Sequence, residues 1–340
     1  MRKRLIVPVV DLFAGPGGLA EGFTSFEDER LAFRVAVAVE KDAAAHRTLT
    51  LRSFSRQFPV GSVSPEYYAY VRGEVSRDEL FRAYPCASQA ALSSCLHAEL
   101  GKPGDTARVE EAIKGALGGC GIWVLIGGPP CQAYSIVGRS RMSSDRTREE
   151  FEADQRHYLY RRYLEIIARF KPPIFVIENV KGLLTSKISG EYIFRRMLED
   201  LQDPPRAVGQ RTCGGGTRFR VIPFDEITNE TVEYKHSAYL VRAEDHGVPQ
   251  RRHRVILLGI RSDVDMSGAF ELEPTARTPH VSEVLDDLPP LRSRLSYEAD
   301  SPKAWYDAVS ETQRYLNGDI DSRRSPPDEC GDRGCRGTYI

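Results

Sequence analysis

The chain has 340 residues, 41% of them hydrophobic and 28% charged, an ordinary balance for a soluble globular protein of one large domain or one large and one small. Lysine and arginine number 47 against 48 acidic residues, so bulk charge gives no sign of a nucleic-acid partner, although a local basic groove is compatible with it. Seven cysteines (Cys86, Cys95, Cys120, Cys131, Cys213, Cys330 and Cys335) form no C-x-x-C pair, which excludes a zinc ribbon or a thioredoxin-like motif and suits a reducing compartment.

The start, MRKRLIVPVVDLFAG, has the basic and apolar regions of a signal peptide. It lacks a small-residue cleavage site and runs into a glycine turn, so it reads as a first buried strand. No apolar stretch approaches the roughly 18 residues of a membrane span. LIVPVVDLF is rich in β-branched residues, GPGG breaks it, and LAEGFTSF follows as a helix. FRVAVAVE is a second strand ending on Glu40, and KDAAAHRTLTLRSFSRQF a second helix, together a βαβ unit of the doubly wound kind.

Residues 60–120 carry charged helical stretches, EVSRDELFRAY and TARVEEAIKGAL, and are too long for a simple connection, which predicts a helical insertion. CGIWVLIGG is a core strand that ends in the loop GGPPCQAYS. DQRHYLYRRYLEIIARF is a strong helix stopped at Lys171–Pro172–Pro173, and IFVIENV is the next strand, with Glu178 near its carboxyl end. EYIFRRMLEDL is helical, TCGGG is a loop, and SAYLVRAEDHGVPQRRHRVILLGI gives two strands around a polar turn. From about residue 275 the chain turns rich in Pro, Ser, Arg and Asp, and the tail SRRSPPDECGDRGC reads as irregular or disordered. The expected division is a catalytic domain over 1–275, with a helical insertion at 60–120, and the start of a further region or an irregular tail over 276–340.

Four segments carry chemistry. DLFAGPGG places glycines between a strand and a helix, where backbone approaches a ligand and the helix start favours negative charge. With Leu19 and Ala20 it also passes as a loose G-x-G-x-x-A, and a plain tight turn is the alternative. Glu40, ending the second strand, stands where a carboxylate grips the hydroxyls of an adenosine ribose. Alternatively, Glu40 and Asp42 cap the following helix. In GGPPCQAYS, glycine admits a close neighbour and proline stiffens the chain, so the loop mounts Cys131 at the carboxyl end of a strand, where a thiolate nucleophile would sit. ENV puts the Glu178 acid at the end of the next strand, placed to give a proton to a bound ring. In GVPQRRHRVILLG, the strand period of two puts Arg252 and Arg254 on one face, suited to a phosphate or a base carbonyl.

Taken together and in this order, DLFAGPGG, Glu40, GGPPCQAYS, the DQRHYLYRRYL helix, FVIENVKGLL and AEDHGVPQRRHR resemble the cytosine-5 DNA methyltransferase family over about residues 5–290. The resemblance implies a Rossmann-like doubly wound α/β sheet with helices on both faces. It implies S-adenosylmethionine as methyl donor, double-stranded DNA as partner, and a target cytosine flipped out of the duplex. Cys131 would attack carbon 6, Glu178 would contact ring nitrogen 3 and the exocyclic amine, and Arg254 with Arg252 would hold the base carbonyl. The donor would lie across Phe13, Gly15, Gly17 and Glu40, with Pro129 and Leu159 covering it, and Asp154 and Arg156 would support that pocket. The setting implied is a bacterial cytoplasm, in restriction-modification or phage defence.

The family pattern is incomplete here. An acid after the third strand normally contacts the adenine amine, and Glu99, Asp105 and Glu110 all remain candidates. After residue 290 the recognition region, a further arginine-rich segment and a G-N-x-V-like segment are not found, and HVSEVLDDLPPLRSRLS reads as the lead-in to the first of them. A split gene with a second chain supplying the rest, a truncated frame and a minimal enzyme are the three explanations, in that order. Rival functions are an RNA cytosine-5 methyltransferase of the same architecture, a nicotinamide-dependent oxidoreductase that leaves the PPC loop unexplained, and an inactive, partner-dependent or regulatory DNA-binding subunit.

Overall fold

A computed structural model describes residues 4–26, 28–59, 61–129, 156–188, 191–210, 216–224, 235–269, 271–286, 295 and 299–316. Its contacts divide the chain into two compact units, Met1–Val281 and Ser282–Ile340.

The first unit is organised by an eight-stranded sheet. β1 (Leu5–Leu12) is followed by α1 (Gly18–Ser25), β2 (Leu31–Glu40) and α2 (Ala43–Ser55). β1 lies between β2 and a short strand β4 (Val124–Gly127), all parallel, and β4 pairs in turn with β5 (Ile174–Val180). Alternation along these strands separates two cores. Val10, Leu12, Leu125, Phe175 and Ile177 pack on one face with Tyr163, Ile166 and Ile167 of α7 (Arg156–Phe170) and with Val109 and Ile113 of α6 (Pro103–Leu117). Val7, Val9, Val124, Ile126 and Val176 face the other way, onto Ala20, Leu19 and Phe23 of α1. Helices therefore cover both faces, as the βαβ pattern predicts.

Beyond β5 the sheet turns antiparallel. The two-stranded ribbon β6–β7 (Lys187–Ile188 and Glu191–Tyr192) and α8 (Ile193–Gln202) intervene, followed by β8 (Phe219–Ile222), β9 (Leu240–Arg242) and β10 (His253–Arg261). β10 runs antiparallel to β5, β8 and β9. Two glycines allow the layers to close. A Cβ at Gly127 would come within 2.6 Å of the Leu12 carbonyl and 2.7 Å of the Tyr163 ring, and one at Gly259 would lie 1.9 Å from Phe175.

Two expectations need adjustment. The stretch 60–120 holds helices α3 (Pro65–Val71), α4 (Arg77–Ala83) and α5 (Pro85–Ser94), packed on Phe54, Leu80 and Ala91, but also a strand β3 (Cys95–His97) that pairs with β2. Three residues show no alternation, so the sequence gives this edge strand no period to recognise. Past residue 275 the chain is not wholly irregular: the second unit carries a helix at Pro302–Leu316, with Ser301 Oγ accepting from the Ala304 amide at 3.1 Å. The tail from residue 317 lies outside the described residues.

Candidate active site

The first wall is the turn from β1 to α1. Phe13 takes a left-handed φ of 58°, and Gly15 and Gly17 follow at 56° and 89°. A backbone that bends so sharply leaves amides unpaired, and Glu40 takes one of them: Gly15 N donates to Glu40 Oε2 at 2.7 Å. The other oxygen, Oε1, accepts from Asp42 N at 2.7 Å. The cap of α2 is Asp42, whose Oδ1 accepts from Ala45 N at 2.8 Å. The two acids thus divide the work that the sequence left shared. Asp42 starts the helix, and Glu40 clasps the glycine turn to the end of β2. Each carboxylate oxygen can accept more than one hydrogen bond, so Glu40, half-buried, keeps capacity for the hydroxyls of a sugar. Gly17 is also sterically required, since a Cβ there would meet Leu49 Cδ1 at 2.9 Å.

The second wall is the β5–β10 pair. Arg254 stands opposite Val180 and Ile256 opposite Glu178, so Glu178 and Arg254 are diagonal neighbours on one face. Arg254 Nε meets Glu178 Oε1 at 2.7 Å, and Arg254 Nη1 donates to the His253 carbonyl at 2.8 Å. Both side chains are about one-quarter exposed, so this pair is accessible from one side. Arg252 lies one residue before the strand. β10 begins at His253, and the preceding residues fold into a turn with Gly247 at φ 81° and Val248 N on the Ala243 carbonyl. Arg252 is exposed, and its carbonyl accepts from Ala243 N.

Between the walls, the end of β4 leads into Gly128 and buried Pro129. A Cβ at Gly128 would lie 3.3 Å from Glu178 Oε2, so the loop passes directly over the acid. Asn179, on the opposite face of β5 from Glu178, is 5% exposed and donates from Nδ2 to the Pro129 carbonyl at 3.3 Å. Its Oδ1 accepts from Val180 N at 2.9 Å. Asn179 was not singled out as a site residue. A polar residue inside the apolar alternation of IFVIENV was the available signal. Cys131 and Asp154 lie outside the described residues. Leu159 is half-buried in the first turn of α7, whose backbone begins at Arg156.

The three candidate acids near the third strand separate by position. Glu99 follows β3 by two residues and pairs with Lys41 at 3.2 Å. Asp105 accepts from the Glu99 amide, which holds its carboxyl below the ordinary carboxylate range. Glu110 is committed to Arg169 at 2.6 Å. His97 ends β3 opposite Glu40, its ring 5.1 Å from that of His46 and its Nε2 2.9 Å from the Lys41 carbonyl.

Comparison with known proteins identifies the family of the chain. The family model for the C-5 cytosine-specific DNA methylase matches residues 104–204 and 224–318. The Type II methyltransferase M.Bpa9945I of Bacillus paralicheniformis is 29% identical over 309 residues, covering 85% of this chain and 62% of that protein. The Type II methyltransferase M.XorII of Xanthomonas oryzae is 29% identical over 316 residues, covering 92% of this chain and 54% of that protein. The chain thus spans roughly half to two-thirds of the length of these curated relatives. Among solved structures, the Entamoeba histolytica methyltransferase EhMeth superposes with a TM-score of 0.43 at 16% identity, over 85% of this chain and 62% of that one.

Proposed function

The chain belongs to the C-5 cytosine-specific DNA methylase family, and from that premise we propose that it transfers a methyl group from S-adenosylmethionine to carbon 5 of a cytosine flipped out of DNA, through a covalent adduct on Cys131. The observation that carries this reading is the Glu178–Arg254 pair, 2.7 Å apart, directly beneath the Gly128–Pro129 backbone that leads to Cys131.

A base stacked in a duplex hides both ring faces, so a nucleophile on one face and a methyl donor on the other require the base to be extruded. Arg254 holds the ring carbonyl, and Glu178 accepts from the exocyclic amine and stabilises a proton at ring nitrogen 3 as carbon 6 is attacked. Cys131 Sγ forms the bond to carbon 6, and the electron pair of the 5,6 double bond becomes available at carbon 5. S-adenosylmethionine supplies an electrophilic methyl group there. Loss of the carbon 5 proton to a base then restores the double bond and expels the thiolate.

The residues of the first wall fit that donor. The Glu40 carboxylate retains acceptor capacity for ribose hydroxyls, and the Phe13–Gly17 turn has the close backbone a nucleoside needs. Among the described residues no helix is long and apolar enough to cross a membrane. Double-stranded DNA is the proposed partner. A second chain, expected from the segments not found after residue 290, draws no support from the relatives compared.

Cys131→Ser is the test. With S-adenosylmethionine present, the wild-type chain should form a denaturant-stable adduct with a duplex carrying 5-fluorocytosine, and the variant should form none. An adduct on the serine variant would remove Cys131 from the mechanism. Equal trapping on transfer RNA would shift the substrate class from DNA to RNA.

A further inference from the structure

Asp11, on the central strand β1, is used by neither wall. It is 1% exposed, and both of its carboxyl oxygens are shut from solvent with no hydrogen-bond partner among the described residues. A carboxylate left so is costly, because nothing replaces the water it loses. The elements around Asp11 bring four titratable or charged groups into electrostatic reach: Arg56 just past α2, Glu40 of β2, Cys95 of β3 and Tyr163 of α7. Burial pushes the acid up to about 8, Arg56 opposes this, and Glu40 adds to it. Asp11 therefore holds its proton at neutral pH.

Arg56 is the complementary group. Its Nη2 reaches outward to Glu21 of α1, while its Nε is buried and has no partner among the described residues. Two interior groups of opposite kind thus each carry an unused hydrogen-bonding position, and they remain apart. Asp11 stands two residues before Phe13, where the glycine turn begins, and Glu21 lies in the first turn of the helix that the same turn launches. The glycine turn therefore lies in the chain between Asp11 and the Glu21 that holds Arg56.

We propose that Asp11 is a positioning residue of the donor site, protonated until a cationic nucleoside binds over the glycine turn and then ionised, its proton passing to solvent as Arg56 Nε swings onto the new carboxylate. This rests on the donor reading above. A sulfonium beside the turn favours the ionised acid through Coulomb attraction, whereas a neutral thioether does not. The site thereby distinguishes S-adenosylmethionine from S-adenosylhomocysteine, and loosens after methyl transfer when the acid regains its proton. Linkage makes the effect reciprocal: a donor that expels a proton binds more tightly as pH rises.

The test is calorimetric titration of the full chain with each nucleoside between pH 6 and 8, in buffers of low and high ionisation heat. In the wild type, S-adenosylmethionine should release close to one proton near pH 7, and its affinity should rise up to about tenfold per pH unit. S-adenosylhomocysteine should release little and bind with a flat profile. Asp11→Asn should abolish both the release and the slope. Arg56→Gln, which leaves the new carboxylate no partner, should reduce the release and serves if Asp11→Asn does not fold. Equal proton release for the two nucleosides, or release unchanged in both variants, overturns the proposal. Failure of either nucleoside to bind the wild-type chain overturns the donor reading itself.

Discussion

The two walls of the site are built by different kinds of bond. In the donor wall the key carboxylate, Glu40, is held by main-chain amides at Gly15 and Asp42, so its position follows from the path of the backbone. In the base wall Glu178 is held by another side chain, Arg254, across strands that meet 76 residues apart in sequence. A carboxylate fixed by amides is a finished socket. A carboxylate fixed by a guanidinium can trade that partner for a ligand presenting both a donor and an acceptor. A cytosine edge is such a ligand, with its amine and its carbonyl on either side of ring nitrogen 3. On the proposed function, the difference separates a wall made to bind from a wall made to exchange partners during reaction.

Glu178→Gln breaks the base wall, and the largest effect is expected there. The amide keeps the shape but loses the negative charge that supports a proton on the ring. The methylation rate should fall by about 10²–10³-fold, the usual loss when one charge-stabilising group is removed. Donor affinity, measured by calorimetry on the same variant, should change by less than about twofold. A parallel loss of donor affinity would show that the walls are not separable. Glu40→Gln is the complementary change. It leaves one of the two backbone amides facing an NH2 group, and removes charge-assisted bonds that contribute about 1.5–3 kcal/mol. S-adenosylmethionine should bind roughly ten- to a hundredfold more weakly, and trapping on 5-fluorocytosine DNA, which is fixed only once the methyl group has been transferred, should fall at limiting donor and return to near the wild-type rate when the donor is saturating.

The same contrast explains what the sequence reveals. DLFAGPGG and Glu40 belong to one βαβ unit, in which strand, turn and helix are neighbours in the chain, and each announces itself by period or by glycine. The PPC loop is similarly local. Arg252 is less legible than Arg254, because nothing in QRRHR marks where β10 begins, and Arg252 falls one residue before its first strand position. β3 escaped because a three-residue strand has too few positions to alternate. Asp11 was visible as a charge inside VVDLF, but its isolation is tertiary: it depends on Arg56 turning toward Glu21 instead. Helix Pro302–Leu316 lies in a stretch whose composition resembles a linker, yet Ser301 before Pro302 is a recognisable start signal.

Asn179→Ala tests how the walls are joined, and its effect should be the smallest. The side chain binds the Pro129 carbonyl and the Val180 amide, so it ties the loop before Cys131 to the strand that carries Glu178. Removing it leaves a buried carbonyl unpaired and costs about 1 kcal/mol of folding stability, read as a lower urea midpoint at unchanged slope. The catalytic consequence should appear in a different quantity. Donor affinity, which the proposed function assigns to the glycine turn, should stay the same, while the rate of adduct formation should drop several-fold as the loop loses its fixed relation to Glu178. A variant that loses stability but traps 5-fluorocytosine DNA at the wild-type rate would show that Pro129 is held in register by the chain's own stiffness, and that Asn179 serves only the fold.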